Sequence, residues 1–191
     1  MDELSQDIID RCCQQDASAF AIAVQTLERP LFAYVYRFTV GESNLPDPED
    51  IVQDIFLNVW NGLPGLKADS PSGFQAWFFR IARNHLISIL RKKRPEMVRD
   101  NDEGDGLFGR IPDRGPSPRE SAQSNQLESN VAEAVSSLNE KLRTAFILRY
   151  YEDLSYGEIS AILECSEGTV KSRISRAREI LSQQLKDHLK N

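Results

Sequence analysis

Apolar residues recur along this chain at spacings of three and four, the period of a helix with one buried face. An early stretch illustrates the pattern with Phe20, Val24, Leu27, Leu31, Tyr34, Val35 and Phe38. There is no sustained alternation of apolar and polar residues, and no Asn-Gly or Asp-Gly pair joins two apolar runs, as a β-hairpin would require. The pattern therefore predicts an all-α protein.

The spacing and the helix-capping residues together predict eight helices. They cover residues 3–14, 18–39, 47 or 48 to about 60, 72–94, 124–136, 138–151, 155–163 and 166 to about 189. Pro30 lies inside the second helix, and we expect it to kink or split that helix because proline cannot donate a backbone hydrogen bond. Asp47 is the expected N-cap of the third helix and Ser72 that of the fourth, which should end before Pro95.

A change of composition after Pro95 divides the chain. The segment NDEGDGLFGRIPDRGPSPRE is rich in glycine, proline and acidic residues, and it has few apolar ones. Such a composition favours a flexible linker over a packed domain. We therefore predict two small helical domains, residues 1–95 and 122–191, joined by a flexible acidic linker over residues 96–121.

Composition indicates the cellular compartment and argues against some types of cysteine site. No apolar run approaches the ~18 residues of a membrane span, and the acidic start MDELSQDIID lacks the apolar core of a signal peptide. We expect a cytoplasmic protein without membrane insertion. Cys12, Cys13 and Cys165 lack a CxxC spacing, which argues against a disulfide framework and a zinc site. The ordinary interpretation is three reduced, partly buried thiols, with a redox role for the adjacent pair as an alternative.

The charge distribution indicates two nucleic-acid-binding surfaces despite a net charge of −6. Residues 74–94 contain six Lys or Arg and no acid, and residues 171–178 contain four basic residues and no acid. Local patches of this kind, more than net charge, determine phosphate contacts. Because the overall charge still repels DNA, we expect the free protein to bind DNA weakly.

The stretch LSYGEISAILECSEGTVKSRISRAREIL has the layout of a helix-turn-helix, whose second helix enters the DNA major groove. Its predicted core face comprises Val170, Ile174, Ala177 and Leu181, packed on Ile159, Ile162 and Leu163. The candidate DNA-contacting residues are Lys171, Ser172, Arg173, Ser175, Arg176 and Arg178. Arg176 suits guanine and Ser172 a base edge, while Arg173 and Arg178 suit phosphate. A basic face that is merely solvated is the alternative.

The other basic helix, FQAWFFRIARNHLISILRKKR, combines aromatic, arginine and asparagine side chains, which suits stacking on unpaired bases. Its candidate DNA-contacting residues are Trp77, Arg80, Arg83, Asn84, Arg91 and Lys92. Its predicted core face comprises Phe78, Ile81, Ala82, Leu86, Ile89 and Leu90. The alternative places the aromatic residues in the core, and it is stronger for Phe78 than for Trp77. For His85 we expect a neutral structural role.

Four motifs in fixed order resemble the extracytoplasmic-function class (group 4) of bacterial sigma-70 factors. They are DPEDIVQDIFLNVW, FQAWFFRIARNHLISILRKKR, LNEKLRTAFILRYYEDLSYGEIS and SEGTVKSRISRAREIL. The resemblance covers Ser18 to Arg94 and Ser121 to Leu185, and the absence of the middle domain found in larger sigma factors fits this class. It implies that the first domain is sigma region 2 and the second is sigma region 4.

The resemblance implies a role for each segment. The helix from Asp47 to Trp60 would dock on the β′ clamp helices of core RNA polymerase; the implied binding residues are Asp47, Glu49, Asp50, Asp54 and Phe56. A solvated acidic face is the alternative. Phe74 to Arg94 would melt the −10 element, and the loop Gly62–Gly73 would hold one flipped base, whose extrusion costs a few kcal/mol. The C-terminal domain would read the −35 element. The linker would mimic nucleic acid through its acids or serve as a plain tether.

The implied function is a promoter-specificity subunit without catalytic residues, metal, cofactor or small-molecule substrate. Its partners would be core RNA polymerase (β′ clamp helices and β flap), promoter DNA and an anti-sigma protein. One alternative is a stand-alone helix-turn-helix regulator, although the sequence has no coiled-coil heptads for the expected dimer. Another is an enzyme with a metal held by Asp47, Glu49, Asp50, Asp54 and His85, although HExxH, GxSxG and P-loop spacings are lacking.

Overall fold

The computed structural model describes residues 4–40, 45–68, 70–93, 131, 132 and 134–188. The helices in these ranges are α1 (Gln6–Cys13), α2 (Ala17–Thr39), α3 (Pro48–Gly62), α4 (Pro71–Lys93), α5 (Glu140–Tyr150), α6 (Tyr156–Leu163) and α7 (Glu167–His188). A 3-10 turn, Leu63–Gly65, follows α3, and residues 131, 132 and 134–137 are also helical. The described ranges contain no strand, and the prediction of an all-α fold is confirmed. No helix in these ranges is both long and apolar enough to cross a bilayer.

Side-chain caps explain where several helices begin. Asp16 precedes α2, and its carboxylate accepts hydrogen bonds from the backbone N–H of Ser18 at 2.8 Å and of Ala19 at 3.2 Å. The Ser18 hydroxyl, 2.6 Å away, and Arg11, 2.7 Å away, also donate to that carboxylate. These donors, with Ser18 first, hold the pKa of Asp16 well below its usual range. The start of α2 is therefore tied to α1 through Arg11.

Of the kink or split expected at Pro30, the split does not occur, because α2 runs without interruption from Ala17 to Thr39. Leu27 and Leu31, on either side of Pro30, are both buried in the core of the first domain. Their packing opposes the local loss of one backbone hydrogen bond, which alone would favour a break. Tertiary burial therefore overrides the local preference at this position.

The predicted cap of α4 is wrong by two residues. The Ser70 hydroxyl, not that of Ser72, accepts the hydrogen bond from the backbone N–H of Gly73, at 3.1 Å. The helix begins at Pro71, a residue suited to the first helical position because its missing N–H would have no helical partner there. Ser72 therefore lies inside the first turn, with its hydroxyl 3.2 Å from that of Ser70.

Helices α1 to α4 pack around one apolar core in the first domain. Tyr34 on α2 and Phe79 on α4 meet edge to face with ring centroids 5.4 Å apart, and both side chains are fully buried. The other fully buried side chains of this group include Ile9, Leu31, Phe38, Ile51, Ile55, Leu63, Phe78 and Leu86. This packing fixes the orientation of α4 against α2. The buried side chains of α4 therefore determine which of its other side chains point to solvent.

The second domain is built on α5, α6 and α7, and its core face is the predicted one. The buried residues include Ile159, Ile162, Leu163, Val170, Ile174, Ala177 and Leu181. Helix α6 begins with a capping box. The Glu158 carboxylate accepts a hydrogen bond from the backbone N–H of Ser155 at 2.7 Å, and the Ser155 hydroxyl accepts one from the backbone N–H of Glu158. Ser166 accepts from the backbone N–H of Thr169 at 3.1 Å and caps α7.

The two domains are in contact, with α2 against α5 and α4 against α6. Arg143 of α5 is only 6% exposed, and its Nη1 donates to the backbone carbonyl of Phe38 at 3.1 Å. That carbonyl belongs to the last turn of α2, the negative end of the helix dipole. The same guanidinium lies over the Phe38 ring, 5.4 Å from its centroid, and also donates to the carbonyls of Ser136 and Leu138. Arg143 therefore joins the ends of helices from both domains.

Candidate nucleic-acid interface

The first half of α7 presents a basic, solvent-facing surface opposite its buried face. The exposed members of the predicted DNA-contacting set are Lys171, Ser172, Ser175, Arg176 and Arg178. Arg173 is half-buried, and its Nη1 approaches the Cys165 sulfur at 3.7 Å. Most of the predicted set therefore shares the open side of α7, while Arg173 leans toward the turn that precedes it.

Two of the cations on α7 have acidic partners within the same helix. Arg176 Nη1 lies 2.8 Å from Oε2 of Glu179, and Lys171 Nζ lies 3.8 Å from Oε2 of Glu167. Exposed pairs of this kind contribute little to stability, typically about 0–1 kcal/mol. A phosphate or a guanine edge can therefore replace these partners at small cost. Ser172 donates its hydroxyl to the Thr169 carbonyl at 2.9 Å, so its oxygen remains available as an acceptor.

The outer face of α4 forms the second basic surface. Asn84, Arg91 and Lys92 are exposed, whereas Arg80 and Arg83 are half-buried. An open depression on this face is lined by Arg83, Asn84, Ile87, Ser88, Arg91 and Lys92. The structure thus gathers four of the six residues predicted for this helix around one concave, basic surface, along which an extended nucleic-acid strand can lie.

Trp77 differs from the other aromatic residues of α4. Phe74, Phe78 and Phe79 are buried in the core, which supports the core alternative for those three, whereas Trp77 is half-buried at the surface. Its indole packs on Phe74, with ring centroids 5.8 Å apart. It also lies on Gly62 so closely that a Cβ there would be 3.0 Å from the indole Cζ2. Gly62 therefore makes room for an indole that keeps part of its surface open.

Two arginines on α4 are paired with acids of the second domain, which the sequence did not predict. Arg80 Nη1 lies 3.3 Å from Oε1 of Glu164, and Arg83 Nη2 lies 3.3 Å from Oε1 of Glu140. Glu164 is in the turn between α6 and α7 and has a positive φ of 52°. Glu140 is in the first turn of α5. No sequence signal connects residues this far apart along the chain.

The acidic start of α3 is solvent-facing. Asp47 caps the helix by accepting from the backbone N–H of Glu49 at 3.0 Å, and Glu49, Asp50 and Asp54 are exposed. Phe56 is half-buried and packs on other aromatic rings, with centroids 6.4 Å from Phe20 and 6.0 Å from Phe78.

Leu57 is the apolar residue of this surface that the sequence reasoning missed. It is 60% exposed, while Ile51, Ile55 and Val59 on the opposite side of α3 are buried. The signal was present in the spacing, because positions 50, 54 and 57 are separated by four and three residues and so share one helical face. Asp50, Asp54 and Leu57 therefore form a surface that combines acids with an exposed leucine.

His85 lies between the acidic and the basic surfaces. Its Nδ1 is 3.0 Å from the Asn58 amide nitrogen, and its Nε2 is 3.8 Å from Oδ2 of Asp54. Burial lowers the pKa of His85. The charge of Lys92 lowers this pKa further, whereas the charge of Asp54 raises it. A neutral ring that accepts from Asn58 fits this environment. Among the described residues, no three His, Cys, Asp or Glu side chains are grouped so that they could hold a metal ion.

Comparison with known proteins identifies the family. The model of sigma-70 region 2 matches residues 23–96, and the model of sigma-70 region 4 matches residues 129–181. The chain is 33% identical to the ECF RNA polymerase sigma factor SigW of Bacillus subtilis, over 90% of this chain and 91% of that protein. The chain belongs to the ECF family of RNA polymerase sigma factors. ECF sigma factors direct promoter-specific initiation of transcription by RNA polymerase, and the resemblance seen in the motifs is confirmed.

Other similar proteins match over most of the chain. The RNA polymerase sigma-H factor of Pseudomonas aeruginosa is 31% identical over 98% of this chain and 97% of its own length. The solved structure of CnrH in complex with the cytosolic domain of CnrY is 25% identical, covers 94% of this chain and 96% of CnrH, and has a TM-score of 0.68. RpoE of Bartonella quintana, solved with the anti-sigma factor NepR, is 28% identical over 87% of this chain and 96% of RpoE, with a TM-score of 0.63.

Proposed function

We propose that this ECF sigma factor divides promoter recognition between α4 and α7, with α3 as its attachment to core RNA polymerase. The observation that supports this most is the presence of two separate basic helices, one in each domain, beside an acidic surface with an exposed leucine. A duplex-binding regulator needs one such helix per protomer, whereas promoter opening needs a duplex reader and a single-strand surface. The assigned units are residues 1–95 for region 2, 96–121 for the linker, which lies outside the described residues, and 122–191 for region 4.

Attachment to polymerase is assigned to the outer face of α3. Asp50 and Asp54 supply charge for basic residues of the β′ clamp helices, and Leu57 supplies an apolar contact on the same face. Asp47 and Glu49 order and charge the helix start. Phe56 supports polymerase binding indirectly, because its packing on Phe20 and Phe78 holds α3 against the domain core.

Opening of the −10 element is assigned to α4. The half-open indole of Trp77 offers a stacking surface for an unpaired base, a contact worth about 1–3 kcal/mol per base. Asn84 offers an amide for a base edge, and Arg91 and Lys92 lie exposed farther along the same helix for the phosphates of the strand. Arg80 and Arg83 join them once their acidic partners are displaced.

Reading of the −35 element is assigned to α7. Its buried face holds the helix on α6, and its exposed side presents Lys171, Ser172, Ser175, Arg176 and Arg178. Arg176 is the base-reading residue, since a guanidinium can pair with both acceptors of guanine. Arg173 and Arg178 contact phosphate.

The partners follow from these surfaces and from the relatives. CnrH and RpoE were solved with CnrY and NepR, and we propose that this chain is likewise held by an anti-sigma protein. Core polymerase and promoter DNA are its other partners, and the cytoplasm is its site of action. The chain has no catalytic step of its own, because its surfaces position DNA and polymerase.

Run-off transcription with purified bacterial core polymerase on a genomic fragment library tests this function. The expected result is a set of transcripts that require this protein and share a two-block promoter. The variant Asp50→Lys/Asp54→Lys should lose those transcripts together with binding to core in a pull-down assay. Asp7→Lys/Glu28→Lys makes the same charge change at exposed positions of α1 and α2 and should retain both. Wild-type protein that fails to bind core at all would contradict the proposal.

A further inference from the structure

The segment that joins α3 to α4, whose described residues are 63–68 and 70, borders the surface proposed to open the −10 element. It follows Gly62, on which the Trp77 indole lies so closely that an added Cβ would be 3.0 Å from Cζ2. It ends at Ser70, whose hydroxyl accepts the hydrogen bond from the backbone N–H of Gly73 at the start of α4. Because the indole touches the start of this segment, a base stacked on Trp77 would lie close to the segment.

The first part of the segment is anchored in the core. Leu63 is fully buried, and its carbonyl accepts a hydrogen bond from the backbone N–H of Leu66 at 3.0 Å. The side chains of Leu66 and Ala68 are partly buried against the same core. Side-chain burial thus fixes where the segment begins, but the backbone carbonyl of Ala68 still needs a hydrogen-bond partner.

Gln6, the first residue of α1, supplies that partner from 62 positions away in the chain. Its Nε2 donates to the Ala68 carbonyl at 3.0 Å and to Oδ1 of Asp10, one turn along α1, at 2.8 Å. The two acceptors fix the orientation of the amide, since a flipped amide would turn its oxygen toward two other acceptors. Asp10 therefore orients Gln6, and Gln6 holds the backbone of the segment.

The other end of the same amide indicates that this glutamine is not there for packing. Gln6 Oε1 is buried and has no hydrogen-bond partner among the described residues. A buried polar atom without a partner destabilises a fold, and an apolar side chain of the same length would avoid that cost. The contact with the Ala68 carbonyl therefore accounts for a glutamine here better than the stability of the core does.

We infer that Gln6 is a positioning residue for −10 recognition, because from α1 it holds the backbone between α3 and α4 beside the Trp77 indole. The inference rests on the proposed role of α4 in opening the −10 element. Helix α1 is a firm support for this contact, since Ile9 and Cys12 are buried in the domain core. Gln6 does not touch DNA in this role. It acts through the segment, and loss of its contact lets the segment accept a wider choice of bases.

The test uses holoenzyme with full-length variants, on the promoter that run-off transcription identifies and on single-base variants of its two elements. Gln6→Met keeps the length of the side chain and removes the donor to the Ala68 carbonyl. Gln25→Met makes the same chemical change at an exposed glutamine of α2 and is the matched control. Abortive transcription gives the discrimination at each base position. Hydrogen–deuterium exchange of the free protein gives the protection of the amides of residues 66–68.

For Gln6→Met we expect discrimination at one or more −10 positions to weaken by about 3- to 10-fold, the factor that corresponds to one hydrogen bond. Exchange at residues 66–68 should become faster, while discrimination at the −35 element and binding to core stay at the wild-type level. Gln25→Met should match the wild type in every readout. A uniform loss of transcription on all promoters would show a merely structural role and overturn the inference. Faster exchange with unchanged −10 discrimination would also overturn it.

A double-mutant cycle tests whether Asp10 acts through Gln6. Asp10→Ala alone should weaken −10 discrimination less than Gln6→Met does, and the double variant should be no worse than Gln6→Met. Additive losses would contradict this chain of contacts. Wild-type protein that gives no transcripts with core polymerase would defeat the proposed function and this inference together, whereas normal transcription with unchanged −10 discrimination in Gln6→Met would defeat this inference alone.

Discussion

Arg37 on α2 reaches across the domain contact to Glu152, with Nη1 of the arginine 3.4 Å from Oε1 of the glutamate. The Glu152 side chain is only 4% exposed. Burial raises the pKa of Glu152 to about 7, against the opposing effect of Arg37. Tyr34, a buried residue of α2, also interacts electrostatically with the Glu152 carboxylate, and this interaction raises the pKa of the tyrosine. The carboxyl is therefore near its titration midpoint at neutral pH, at a place where two domains meet.

The raised pKa predicts that the domain contact weakens as pH rises. The folded form holds a proton on Glu152 more tightly than the unfolded chain, whose ordinary pKa is 4.5. Its stabilising contribution is thus complete below about pH 4.5 and is lost as pH rises through about 7. The radius of gyration of the wild-type protein should increase progressively as pH rises from about 4.5 to about 7, the interval between the two pKa values, and level off above it. Glu152→Gln, which cannot ionise, should show a smaller increase; the same pH response in both proteins would contradict the assignment.

Tyr34→Phe should leave the protein as stable as the wild type or more so. The Tyr34 hydroxyl is buried and has no hydrogen-bond partner among the described atoms. Removal of an unsatisfied buried hydroxyl eliminates a desolvation penalty of about 1–3 kcal/mol at no cost in hydrogen bonds. Urea unfolding should give an equal or higher free energy of unfolding. Phe79→Ala, which removes the ring packed on Tyr34, should instead cost about 3–5 kcal/mol and shows that the assay detects core damage.

Arg176→Ala should reduce discrimination at the −35 element by about 1–3 kcal/mol, the usual worth of a bidentate base contact. The Glu179 partner of Arg176 is on the same exposed face and gives way at little cost. Holoenzyme binding to a consensus promoter and to promoters with single −35 substitutions measures the effect. Arg178→Ala is the matched control, expected to weaken binding uniformly. A uniform loss for Arg176→Ala would identify that residue as a phosphate contact.

Trp77→Ala should impair promoter opening more than initial promoter binding, because its exposed indole surface is proposed to stack on an unpaired base. Permanganate footprinting of open complexes measures the melted thymines, and competition binding measures the closed complex. Gly62→Ala gives a milder version of the same defect, since a Cβ at Gly62 would press on the indole at 3.0 Å. Normal melting in Trp77→Ala would exclude the stacking role.

Local sequence signals predicted most of the secondary structure and the buried face of one of the two basic helices. The buried face of α7 and the cap of α3 at Asp47 needed only helical spacing and short-range hydrogen bonds. The split allowed for at Pro30 does not occur, and the cap predicted at Ser72 is wrong. In the first case, burial of Leu27 and Leu31 outweighs the local cost of proline, and in the second, Pro71 moves the helix start toward Ser70.

The sequence by itself determined most of the helices, the buried face of α7 and the family, since each depends on contacts within a few residues or on motifs in order. The tertiary structure alone decided which charges meet. Arg83 and Glu140 are separated by 57 positions, and Arg80 and Glu164 by 84, yet each pair is in contact. Such pairs arise only when two domains pack, because side-chain ion pairing depends on distance in space and leaves no periodic trace along the chain. That is why both arginines of α4 were predicted to face DNA, while their acidic partners were not.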